Sequence, residues 1–142
     1  MRAWCRTELG DVVLDLEAEE ATLLDTPLDV QGAPVPETGL PLVVAAARQG
    51  STVVAVVAAK PPVVVSHDAG LTWRAAGHGL PAGRAVAIHP DRPDAVLFAT
   101  GSRLWLSEDG GRFWRSLAPE LPEILAVGFE PDDAAPDGPV AR

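Results

Sequence analysis

Apolar residues fall in short runs of four to eight, rich in Val, Leu and Ala and bounded by Gly, Pro, Asp and Ser. Runs of that length between turn residues predict strands, and helix is hard to place anywhere. The central stretch predicts strands over 84–88, 95–100, 103–107 and 113–117, joined by 89–94, 101–102 and 108–112. This order is a four-stranded antiparallel meander. The stretch before it predicts the same order over 42–47, 52–58, 63–66 and 72–76, with further strands at 2–7, 11–16, 22–24 and 125–129. Most runs are unbroken rather than alternating, as in sheets covered on both faces. The expected fold class is all-β, built from stacked four-stranded antiparallel sheets.

The chain also repeats itself. Ser66, Asp68, Gly70 and Trp73 match Ser107, Asp109, Gly111 and Trp114 at a shift of 41 residues. Val86-Ala87-Ile88-His89-Pro90-Asp91 superposes on Val127-Gly128-Phe129-Glu130-Pro131-Asp132 with the same shift, and Leu-Pro pairs at 40–41, 80–81 and 121–122 punctuate it. A period near 40 residues is the signature of a repeat architecture. The residue types suit a tight hairpin. An aspartate accepts backbone N–H bonds, a serine hydroxyl joins the network, and glycine adopts positive φ without a Cβ penalty. A tryptophan then starts the next strand with a large apolar face.

The pattern Ser66-x-Asp68-x-Gly70-x-Thr72-Trp73 resembles the Asp-box, or BNR, repeat of sialidases, sortilin-type receptors and photosystem assembly factors. The second copy has Phe113 where that repeat has threonine, which predicts a weaker lock. The resemblance implies a β-propeller, whose blades each have four strands. Segments 39–81 and 82–122 are the two Asp-box blades, and 123–130 is the inner strand of a further one. Segment 1–38 holds the strands of an incomplete blade and a linker with Pro27, Gly32, Pro34 and Pro36; 131–142 is expected to be a flexible acidic tail. The inner strand at 125–129 can complete the N-terminal blade within the chain or across to a second copy. Three blades do not close a ring, so terminal blades expose apolar faces. Closure by oligomerisation follows, and a homodimer giving six blades is the sharpest form of it.

Composition narrows the functions. The 142 residues fit one domain; 47% are hydrophobic and 22% charged, as in an ordinary folded chain. With 11 Lys and Arg against 20 Asp and Glu, the net charge of -9 disfavours nucleic acid. Apolar stretches 42–47 and 52–59 are interrupted by Arg48, Gln49 and Gly50, so neither reaches the roughly 20 residues that span a bilayer, and no membrane partner is expected. Residues 1–10 lack the apolar core of a secretory signal, and Cys5 is the single cysteine, so no intrachain disulfide can form. A cytoplasmic setting is the expectation, with no metal and no cofactor. Tyrosine is absent, which removes the nucleophile that the resemblance to sialidases would imply.

No residue is assigned a catalytic role. Asp68 and Asp109 are accounted for by their turns. Arg48, His89 and Glu130 end the inner strands of successive repeats, which places them at one mouth of a ring as candidate rim-binding residues. Arg84, on an inner strand, has Val43 and Leu125 at its repeat positions and joins them as a candidate. Trp105 is a gap filler between blades or an exposed anchor, and Glu17, Glu19 and Glu20 guard an edge or face a basic partner. Asp132, Asp133 and Asp137 suit a solvated tail better than a calcium loop. The functional expectation is a non-catalytic interaction or assembly scaffold that binds itself or another protein. The alternatives are a carbohydrate-binding or glycoside-hydrolase-like module with a site formed between subunits, and a fragment of a longer propeller.

Overall fold

The structure, a computed structural model, describes residues 1–30 and 35–130. Gly32, Pro34 and the acidic tail therefore lie outside the described residues. Twelve strands follow in order: β1 Arg2–Thr7, β2 Gly10–Asp15, β3 Glu20–Leu23, β4 Val43–Gln49, β5 Thr52–Val57, β6 Val63–Ser66, β7 Arg74–Ala76, β8 Ala85–Ile88, β9 Val96–Ala99, β10 Leu104–Ser107, β11 Arg115–Ser116 and β12 Ile124–Phe129. They form three antiparallel four-stranded sheets with orders β12-β1-β2-β3 (sheet I), β4-β5-β6-β7 (sheet II) and β11-β10-β9-β8 (sheet III). The fold is all-β, with propeller-like blades and no helix among the described residues.

Residues 123–130 supply an inner strand to the sheet begun at the N terminus. Val127 pairs with Cys5 and Phe129 with Ala3, so the two ends of the described chain share one sheet. Period-two alternation then assigns the faces. Ala85, Ala87, Leu97, Ala99, Leu104 and Leu106 of sheet III pack with Ala3, Cys5, Val12 and Leu14 of sheet I. The intervening residues Val86, Ile88, Val96 and Phe98 pack with Ala47, Val54, Val56, Val63 and Val65 of sheet II. Sheet III is thus the middle layer, apolar on both sides, and its unbroken hydrophobic runs in the sequence have that cause.

The outer strands are shorter than the sequence predicts. β7 covers Arg74–Ala76 rather than 72–76, and β11 covers Arg115–Ser116 rather than 113–117. The amides of Thr72 and Phe113 are committed to the Asp68 and Asp109 carboxylates, so they cannot join a ladder. β3 instead begins earlier, at Glu20 rather than residue 22, and ends at Leu23. Asp15 closes the turn before it by accepting from the amides of Glu17 and Ala18.

Sheet I is tied down by polar contacts that sequence inspection missed. The Asp11 carboxylate accepts from Arg6 Nε at 3.0 Å, Arg6 Nη2 at 3.1 Å and the Leu28 amide at 2.7 Å, anchoring the start of the long connection between β3 and β4. The Arg6 hydrogen bonds, then the Leu28 amide, hold its carboxyl below the usual range. Glu19 accepts from Arg115 at 2.8 Å and from the Ala118 amide at 2.7 Å, linking sheets I and III. Glu17 takes the N-terminal ammonium. Two members of the acidic run are therefore engaged within the chain. Burial, with Asp11 nearby, pushes the Cys5 thiol up to about 12, so it packs as a neutral side chain.

The Trp4 indole packs against Gly128, where an added Cβ would meet the ring at 2.4 Å. Gly128→Ala is expected to force the ring away and cost about 1–3 kcal/mol, as overpacking does. Urea unfolding followed by tryptophan fluorescence checks this, and an unchanged midpoint contradicts the close approach.

Candidate functional site

Two turns with one geometry organise the outer edges of sheets II and III. In the first, Ser66 Oγ donates to Asp68 Oδ1 at 2.7 Å and accepts the Gly70 amide at 2.8 Å. Asp68 also accepts the Thr72 amide at 2.9 Å and the Thr72 hydroxyl at 2.6 Å. In the second, Ser107 Oγ donates to Asp109 Oδ1 at 2.8 Å and accepts the Gly111 amide at 2.9 Å. The amides of Arg112 and Phe113 reach Asp109 at 3.1 and 3.0 Å. Gly70 and Gly111 both have φ of 93°, and each would bring a Cβ to 3.6 Å from the tryptophan ring three residues on. The glycine thus admits the left-handed backbone and lets Trp73 or Trp114 fold back over the turn.

These bonds set the chemistry of the carboxylates. Donation by the Thr72 hydroxyl, the Thr72 amide and Ser66 draws Asp68 down to about 2, and the Phe113 amide chiefly lowers Asp109. A carboxylate held ionised and filled with intramolecular donors is a poor proton donor. Both act as turn struts. No cluster of three or more His, Cys, Asp or Glu suited to a metal ion occurs among the described residues.

The candidate rim residues do not share one register, and one of them is buried. Arg48 pairs across to Val53 and Ile88 to Val96, while Val53 and Val96 lie opposite the equivalent serines, Ser66 and Ser107. Arg48 therefore corresponds to Ile88, and Gln49 to His89; the two repeats differ by one residue here. His89 is fully buried, with its ring centroid 5.1 Å from that of Phe129 and its Nδ1 accepting the Asp91 amide at 3.0 Å. Burial removes it from any rim. Glu130 pairs with Arg2 at 3.2 Å, and Arg48 caps the Gly50 carbonyl of its own hairpin at 2.8 Å.

Arg84 marks a more informative place. It donates to Glu123 at 2.6 Å, at the approach to β12, so the pair crosses the joint between sheets III and I beside their inner strands. Pairing of β4 skips Val44, and pairing of β12 skips Leu125; both are bulge residues corresponding to Arg84. By the same register Leu42 corresponds to Glu123. Leu42 is 66% exposed, Val44 51% and Leu125 53%. The sequence contained this equivalence, but the one-residue difference that sets Arg48 against Ile88 moves the match from Val43 to Val44.

The outward faces of sheets I and II differ in size. One row across sheet II reads Ala46, Ala55, Val64 and Ala75, where sheet III has Val86, Phe98, Trp105 and Ser116. In sheet III, Phe98 and Trp105 fill the joint against sheet II. The row on the outward face of sheet I contains Gly128, Trp4 and Val13. One outward row is small where the other carries an indole, and Trp4, Ala46 and Ala55 are all buried within the chain.

No protein-family model and no curated protein matches the sequence. Among solved structures the chain is similar to the GH74 enzyme of Niastella koreensis, with 22% identity and a TM-score of 0.48, over 87% of this chain and 18% of that one.

The acid response of the turns can be measured. Asp68 has a folded value below its unfolded one, so its stabilisation is complete above about pH 4 and lost as pH falls toward about 2. Asp68→Asn is expected to lower the Tm near neutrality, with the deficit shrinking across that window. A deficit of constant size from about pH 7 to 2 contradicts the strut role.

Proposed function

We propose that this chain is a non-catalytic propeller scaffold of the Asp-box type, in which a second copy closes the ring. Three blades stack as II, III and I, and each outer blade covers its inward face on the middle one. Joining sheet I of each copy to sheet II of the other gives six blades from two chains, a closed assembly in which both new joints are the same.

The reading rests on one observation, the exposed leucines at the two free ends of the inner layer. At the internal joint the Arg84–Glu123 pair is about half exposed on both sides, where an ion pair contributes little. At the proposed joint its counterparts are Leu125 of one copy and Leu42 of the other. Burying two leucines there removes apolar surface from water at about 25 cal/mol per Å².

Size-exclusion chromatography with light scattering tests this directly. The expected mass is about twice the 14.8 kDa of one chain, and Leu125→Asp is expected to shift the protein to monomer without loss of its folded spectrum. A monodisperse wild-type monomer at roughly 50 μM overturns the reading.

A further inference from the structure

A groove of about 430 Å³ opens between sheets II and III, walled by the segment 74–80 on one side and by Trp105 and 111–114 on the other. That volume lies within the range of small-ligand sites. Its charge runs against the rest of the molecule. Arg74, His78 and Arg112 line it and no carboxylate does among the described residues, in a chain of net charge -9. The Trp105 Nε1 is buried and has no acceptor among the described residues. A buried donor without a partner costs stability unless something supplies the missing oxygen.

Phe113 supplies the independent observation. At the matching position Thr72 donates to Asp68 at 2.6 Å, and phenylalanine forgoes that bond to Asp109. It gains little packing in return, since Phe113 is 78% exposed beside the groove. A residue that weakens its own turn and holds an apolar ring in water is placed for contact with something else.

We propose that this groove binds a small ring carrying a carboxylate. The ring lies against Phe113 and the indole of Trp114, while the carboxylate takes the guanidinium groups of Arg74 and Arg112 and the His78 side of the wall. Guanidinium forks match carboxylate oxygens, and flat apolar faces match either a sugar ring or an arene. The site lies within one chain, so it stands whether or not copies close a ring.

Glucuronate and phenylacetate, with glucose and phenylacetamide as uncharged counterparts, are titrated into the ¹⁵N-labelled full chain while the four indole N–H signals are followed. At least one acid is expected to move the Trp105 and Trp114 signals at roughly millimolar concentration, and its neutral counterpart to bind at least about five-fold more weakly. The acid that binds identifies the ring as sugar or arene. Phe113→Thr restores the lost hydroxyl, so it is expected to keep or raise the Tm while weakening binding about five-fold or more. Indole signals unmoved by both acids up to about 20 mM, or moved equally by the neutral compounds, overturn the proposal. Undiminished binding to Phe113→Thr overturns it as well.

Discussion

A β-sheet that is apolar on both faces is stable only when both are covered, and this constraint shapes the whole chain. Sheet III meets it fully, alternating residues between the two clusters on either side. Sheets I and II each pack one face against it. The same alternation that builds the core also sets the outward rows at the two ends of the stack, with Trp4 and Gly128 on one and Ala46 and Ala55 on the other; Trp4, Ala46 and Ala55 are themselves buried within the chain. The exposed leucines at the inner strands sit where those ends begin.

Within sheets II and III, order at the outer edge depends on a carboxylate that never reaches the ladder. Asp68 and Asp109 gather amide and hydroxyl donors, bend the chain over a glycine and deliver a tryptophan to the face of the sheet. The face matters for packing: Trp114 meets Phe98 at 5.9 Å between ring centroids inside the II–III joint. Trp73 occupies the corresponding register on the outward side of sheet II. Local turn chemistry and the joints between sheets are thus one mechanism.

Strand existence was legible in the sequence because apolar runs and turn residues have strictly local causes. The 41-residue repeat showed which strands correspond, and the Ser-Asp-Gly-Trp spacing showed the turn bonds. Strand ends were less legible, since the amides of Thr72 and Phe113 leave the ladder for a carboxylate whose reach no periodicity encodes. The match of Arg48 with His89 slipped for a comparable reason. One residue of difference in register exchanges Arg48 for Gln49 as the partner of His89, and a slip of one flips a side chain across the sheet. Asp11–Leu28 and Glu19–Arg115 were invisible because they join residues brought together only by the return of the connection after β3 and the stacking of sheet I on sheet III, whereas Arg6 and Asp11 face each other across the β1–β2 hairpin. The closure of sheet I by β12 was open in the sequence, where 125–129 fitted partners within the chain or beyond it.

The account depends most on the two leucines that take the place of an ion pair at the open ends. Leu42→Cys and Leu125→Cys, prepared as separate proteins and mixed under mild oxidation, test that contact; the buried Cys5 thiol, pushed up to about 12, stays out of the reaction. The account predicts a disulfide-linked heterodimer that forms in the mixture well ahead of either variant alone. Cross-linking no faster in the mixture than in the separate proteins contradicts it.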